Sequence, residues 1–228
     1  AVVLNLPLLY QIGRRIGGWQ IGLTAVFWLM LSPFHIWQSQ DMRNYTLLLF
    51  WNLLSIYALS QIVLAKTRQN QGTIARWGML WAAAGLAGVY THYFGFFVLA
   101  FGLLALLVWG VQRWQGWPPP RWLVWSVVGT GLAALPVLWI ALVRFQGPTQ
   151  VDFFFVQPHH FLSHVFSVFG VGIRDGVVQP AWRVAPAVLL AAAGLTILWR
   201  QKQTAALFFV LGYWFVPLFL LETLSYFN

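Results

Sequence analysis

The sequence predicts an all-α bundle of transmembrane helices, on three observations. Of 228 residues, 60% are hydrophobic and 7% charged, whereas a soluble domain carries about 25% charged residues. Apolar runs of about 20 residues, long enough to cross a bilayer as helices, recur between short polar breaks. Many of the 15 tryptophans stand at run ends (Trp19, Trp37, Trp77, Trp122, Trp182, Trp199), where such rings settle at headgroup level. A closed barrel would instead alternate polar and apolar residues over strands of about ten positions. With no cysteine, disulfides and thiolate metal sites are excluded.

In chain order, residues 1–13 read as the end of a truncated helix closed by Gly13-Arg14-Arg15. About seven spans follow, at 19–37, 44–65, 76–91, 93–112, 122–143, 183–199 and 204–226. The run from Trp77 to Val111 is too long for one span at 1.5 Å per residue, and Thr91-His92-Tyr93 breaks it. Pro118-Pro119-Pro120 makes a stiff turn before the next helix. One long connection, 144–182, is expected to be an extracytoplasmic loop. Its Phe161, Leu162, Val165, Phe166 and Phe169 recur at helical spacing, which predicts a helix lying in the membrane interface. The chain thus reads as one transmembrane domain over 1–228. It begins inside an apolar segment without Met, and is expected to be an internal fragment of a longer protein.

A formal net charge of +9 would point to nucleic acid in a soluble protein. Here the basic residues are scattered over short loops, and no nucleic-acid partner is expected. With Arg14 and Arg15 in the cytoplasm, alternation leaves nine basic residues inside (Arg14, Arg15, Lys66, Arg68, Arg76, Arg113, Arg121, Arg200, Lys202). Four lie outside (Arg43, Arg144, Arg174, Arg183), in keeping with the positive-inside rule. All five histidines and all four acids then collect on the outer side or at outer helix ends. Groups that move protons or hold phosphates are therefore expected there.

Four constellations carry chemistry. Asp41-Met42-Arg43 sets a carboxylate two residues from a guanidinium at a span boundary. The guanidinium fork suits a phosphate, and the carboxylate a sugar hydroxyl or a cation. The plainer alternative is that Asp41 or Ser39 caps the next helix while Arg43 snorkels to the headgroups. Tyr90-Thr91-His92-Tyr93 can orient a hydroxylated substrate, or can simply be a polar turn. His159, His160 and His164 include an i,i+4 pair, the spacing of a metal site, but no third ligand is fixed and a wet interfacial face is the expectation. Glu222, in the last apolar run, needs a partner at membrane depth; Arg43 and Arg183 are candidates.

The run Leu31-Ser32-Pro33-Phe34-His35-Ile36-Trp37-Gln38-Ser39-Gln40-Asp41-Met42-Arg43-Asn44-Tyr45 closely resembles a motif of polytopic glycosyltransferases, S-P-F-H-I-x-Y-S-Q-E-A-R-x-Y. These are GT-C-fold enzymes of glycosyltransferase family 39, related to protein O-mannosyltransferases and to the lipid A aminoarabinose transferase. Tyr90-Thr91-His92-Tyr93-Phe94 is similar to a second signature of the family, and Leu6 to Arg15 to the segment ending its second span. The resemblance covers about residues 5–110. Two departures stand out: Asp41 replaces the usual Glu, and Gln38 a frequent Tyr.

The resemblance implies an inverting transferase on the extracytoplasmic face of a membrane, expected to be the bacterial plasma membrane. It would move a hexose or pentose from a polyprenyl-phosphate donor to a glycan, lipid or protein acceptor. The substrate-binding residues it implies are Asp41, Arg43, His35, Gln40, Tyr45, His92 and Tyr93, with Arg144, Arg174 and Arg183 as further candidates for the phosphate. No cofactor is implied, and a divalent cation is left open. The family's catalytic aspartate precedes the segment at which this chain begins, so the isolated fragment is expected to lack its base and be inactive. A transporter or lipid flippase is the rival reading, but it calls for charged or broken helices near the midplane of two repeats. Here the ionisable groups lie at helix ends. A structural subunit would leave the outer cluster of His and acids unexplained.

Overall fold

The computed structural model describes residues 2–32, 35–36, 44–65, 70–113, 121–145 and 181–226. Gln40, Asp41, Arg43, the predicted interfacial helix and His159, His160 and His164 lie outside them. All of the regular structure among the described residues is helical.

Local chemistry sets where each helix starts and stops. Helix α1 (Val2–Gly17) runs past Gly13 through both arginines, which are good helix formers. It stops at Gly18, whose φ of 92° suits glycine. Helix α2 (Trp19–Leu31) turns back along it. A Cβ on Gly13 would stand 2.8 Å from the Gly22 Cα, so the two backbones touch, as small residues permit in membranes. The span predicted over 19–37 ends six residues early. Ser32 is extended (φ −65°, ψ 116°), because the following proline ring disfavours helical conformation in the residue before it. At 13 residues, α2 is about 20 Å long, against about 30 Å of hydrocarbon.

Helix α3 (Tyr45–Val63) is the centre of the bundle and packs on α1 and on α4 (Gln71–Thr91). Helix α4 starts five residues before the apolar run that predicts it. The Asn70 side chain accepts the Thr73 N–H at 2.7 Å, a capping bond that gives polar residues a helical first turn. The α3–α4 pair is antiparallel: Ser55 Oγ donates to the Trp81 carbonyl, and the Tyr57 and Trp77 rings meet edge-on at 5.7 Å. Trp81 is fully buried, and its indole fills the space above Gly102 on α5 (Gly95–Arg113).

The span predicted over 122–143 consists of α6 (Arg121–Val124), a π-helical stretch (Trp125–Gly129) and α7 (Thr130–Phe145). It packs through Trp122 and Ser126 on Gly78 of α4. Helices α8 (Ala181–Arg200) and α9 (Thr204–Tyr226) complete the described chain. Phe101 of α5 sits between Phe209 and Tyr213 of α9.

Among the described residues, three helices are long and apolar enough to cross a membrane: Tyr45–Val63, Gly95–Gln112 and Arg121–Ala141. Shorter apolar stretches lie at Trp19–Leu31, Val188–Arg200 and Thr204–Pro217. The protein is an integral membrane helical bundle. Its parallel α1 and α3, antiparallel α2 and α4, define two ends. One gathers Asn5, His35, Tyr45 and His92. The other gathers Arg15, the α3 terminus and the α8–α9 turn, whose Leu198, Ala206 and Leu207 pack near Ile16 and Leu64.

Candidate functional site

Four of the seven binding residues inferred from the sequence fall on described parts of the chain, and all four occupy the same end. His92 ends α4 as its C-cap with extended backbone (φ −161°, ψ 139°). The turn to α5 is tight. The Gly95 N–H donates to the His92 carbonyl at 2.9 Å, and a Cβ on Gly95 would stand 2.6 Å from the Gly88 backbone. Only glycine leaves α4 and α5 that close.

Within this turn the His92 ring is fixed on three sides. The Phe94 N–H donates to its Nδ1 at 3.2 Å. Its centroid is 4.2 Å from that of Tyr93 and 5.1 Å from that of Tyr45, at interplanar angles of 33° and 43°. Tyr45 is the first residue of α3, so two segments 47 residues apart meet at one imidazole. Burial holds the His92 pKa below its ordinary value, which keeps the ring neutral near pH 7.

The second tyrosine expected beside His92, Tyr90, is placed elsewhere. Its hydroxyl donates to the Ala133 carbonyl of α7 at 3.0 Å, and it ties two helices together. The ring beside His92 that sequence proximity could not reveal is Tyr45.

His35 lies in helical backbone beyond α2, where the Ile36 N–H bonds the Ser32 carbonyl four residues back and the His35 N–H approaches Ser32 Oγ. Its side chain is buried, and its Nε2 has no hydrogen-bond partner among the described residues. Burial lowers its pKa as well.

Sequence reasoning missed Asn5. It is fully buried on α1, and its Nδ2 donates to the Thr46 carbonyl in the first turn of α3 at 3.4 Å. Its Oδ1 has no partner among the described residues. A lone asparagine in an apolar helix was the available signal, since buried polar groups are costly unless matched. Asn44, the N-cap of α3, makes no side-chain capping bond; Ser39 and Asp41, the caps expected from the sequence, lie outside the described residues.

Arg15, counted above only as an inner-side charge, has a definite partner. Its Nε donates to the Ser60 carbonyl at 2.9 Å and its guanidinium to the Gln61 carbonyl at 3.4 Å. A cation there meets the negative end of the α3 dipole. Among the described residues no three His, Cys, Asp or Glu side chains come together as a metal site.

Residues 1–148 match the family of dolichyl-phosphate-mannose-protein mannosyltransferases. The chain belongs to this family. The match spans α1 to α7, so every residue of the His92 end lies within it. Membership makes this mannosyltransferase-family chain a membrane glycosyltransferase with a lipid-linked sugar donor. No curated protein and no solved structure matches the chain.

Proposed function

We propose that the His92 end is where the donor binds, and that it faces the extracytoplasmic side of the membrane. The supporting observation is the meeting of Tyr45, His92 and Tyr93 at the end of the bundle where two buried polar atoms, Asn5 Oδ1 and His35 Nε2, have no partner among the described residues. Buried polar atoms in native proteins are nearly always matched; a sugar hydroxyl can donate to Asn5 Oδ1, and His35 Nε2 can pair with a sugar hydroxyl. The sequence segment that precedes α3 contributes Asp41 and Arg43, two to four residues from Tyr45.

The reaction proposed is an inverting displacement. An acceptor hydroxyl attacks the anomeric carbon, its proton passes to a carboxylate base, and the bond from that carbon to the phosphate oxygen breaks. The lipid phosphate leaves with the electron pair and needs no proton. It needs fixed positive charge as its own charge grows, and Arg43 is the residue assigned to supply it. Gln40 and Asp41 are assigned to sugar hydroxyls or to the acceptor, with a divalent cation held by Asp41 as a further option. A polyprenyl phosphate of a bacterial plasma membrane is the proposed carrier.

The test is transfer from dolichyl-phosphate mannose by the full-length protein in proteoliposomes. Arg43→Lys keeps the charge but loses the planar fork, so it should weaken donor use about tenfold or more, and Arg43→Ala up to about a hundredfold. Wild-type rates in both variants would show that Arg43 only snorkels. For sidedness, cysteines at Gln71 and Gly147 should label from opposite sides of intact cells, Gly147 from outside. The reverse would move the active end to the cytoplasm.

A further inference from the structure

The hydrogen bonding of one ring atom limits what His92 can do. A backbone N–H is always a donor, so the Phe94 N–H at 3.2 Å requires His92 Nδ1 to be an acceptor. A neutral imidazole has one protonated and one bare nitrogen. With Nδ1 bare, the proton is on Nε2. The Tyr93 and Tyr45 rings hold the imidazole plane, and the Gly95 N–H bond to the His92 carbonyl holds the backbone beneath it. The Phe94 N–H occupies Nδ1 and leaves Nε2–H as the ring's one N–H donor.

We infer that His92 acts as a fixed neutral donor, presenting Nε2–H to an oxygen of the lipid-linked donor, and is neither a general base nor a metal ligand. This rests on the reading of the His92 end as the donor site. A base or a metal ligand at Nε2 would need that nitrogen bare, and the proton would have to move to Nδ1, displacing the Phe94 N–H. Protonation of the ring would break the same bond, and burial already opposes it. The oxygen accepting from Nε2–H is a phosphate oxygen or a sugar hydroxyl, both of which accept hydrogen bonds in one geometry.

Two substitutions separate the ring nitrogens. In His92→Gln the side-chain amide nitrogen reaches the position of Nε2 and restores a donor there. In His92→Asn the amide oxygen takes the position of Nδ1, so the Phe94 N–H keeps its acceptor while the outer donor is lost. Full-length His92→Asn should therefore melt like wild type but bind dolichyl-phosphate mannose about tenfold to a hundredfold more weakly. His92→Gln should bind nearly as wild type. Weakened binding of plain dolichyl phosphate in His92→Asn would assign the accepting oxygen to the phosphate. Unchanged binding of that lipid, with weaker binding of the mannosyl lipid, would assign it to the sugar.

The inference is overturned if Asn binds normally and Gln does not, since His92 would then serve only the turn. It is also overturned if His92→Gln lowers turnover about a hundredfold or more at unchanged binding, the signature of a lost base. Nitrogen NMR of histidine-labelled full-length protein reads the tautomer without substrate, and a proton on Nδ1 would overturn it directly. A wild-type protein that binds neither lipid would sink the donor-site reading and the ligand half of this one; the spectrum would still decide the tautomer.

Discussion

The two ends of α3 contrast. At its C-terminal end the Leu64 N–H returns to the Ser60 carbonyl, and Arg15, 45 residues earlier, donates to the Ser60 and Gln61 carbonyls. The last carbonyls of a helix lack partners within it; here the Arg15 guanidinium supplies one to Gln61 and adds a second bond at Ser60. At the N-terminal end, among the described residues, Asn44 makes no side-chain cap, Asn5 uses its nitrogen but not its oxygen, and His35 Nε2 has no partner. Among the described residues, one end of the helix is thus closed and the other keeps unmatched polar atoms. A completed end holds the bundle together. An incomplete buried end loses stability that folding alone does not recover, and a ligand is the natural complement.

The largest effect expected from this contrast is at the closed end. Arg15→Met keeps the apolar stem but removes the charged donors, and hydrogen bonds to charged groups contribute about 1.5–3 kcal/mol. For a chain of this size that corresponds to a fall of roughly 3–12 °C in Tm. Donor KM measured well below the transition should stay at the wild-type value. A raised KM with an unchanged Tm would mean the Arg15 end belongs to the site, and the contrast would collapse.

A smaller effect is expected from Asn5→Leu at the open end. Exchanging a half-matched buried amide for an apolar side chain of similar size removes one long hydrogen bond and one orphaned oxygen together. Such exchanges are often close to neutral, so stability should change by about 1 kcal/mol or less in either direction. Transfer should nevertheless fall. If stability drops by several kcal/mol, or if transfer is untouched, Asn5 is a packing residue and the open end is narrower than drawn here.

The same contrast shows how much could be read from the chain alone. The spans over 44–65, 93–112 and 122–143 were legible because apolar length is a local property, and three described helices follow them closely. The early end of α2 was legible too, in Ser32-Pro33, but hydropathy alone ran past it. The start of α4 at Gln71 lay in the Asn70-to-Thr73 capping bond, which an apolar window does not register. His92 was legible as a polar break in an apolar run, yet its ring neighbour Tyr45 was not, since α3 and α4 must first pack antiparallel. Arg15 and Asn5 were the least legible. Each meets its partner over more than 40 residues of chain, and a side chain's partner across a bundle leaves no periodic mark in the sequence.

The smallest effect expected is a pH dependence confined to the open end. Burial lowers the pKa of both His35 and His92 below the ordinary 6.5. Between the folded and unfolded values the unfolded chain binds more protons, so stability rises with pH there. The neutral rings' contribution is therefore complete above about pH 6.5 and is lost as pH falls through the lower folded values. Tm should be flat from about pH 8 to 7 and decline below 6.5, with the two substitutions His35→Gln and His92→Gln together flattening that decline. Arg15 stays charged across this window, so Arg15→Met should shift the whole curve down without changing its slope. Protonation of His92 also competes with the Phe94 N–H for Nδ1, which places the acid sensitivity at the turn between α4 and α5. A slope that survives the double histidine substitution, or one that Arg15→Met removes, would assign the acid response to groups elsewhere and leave the two ends of α3 alike in this respect.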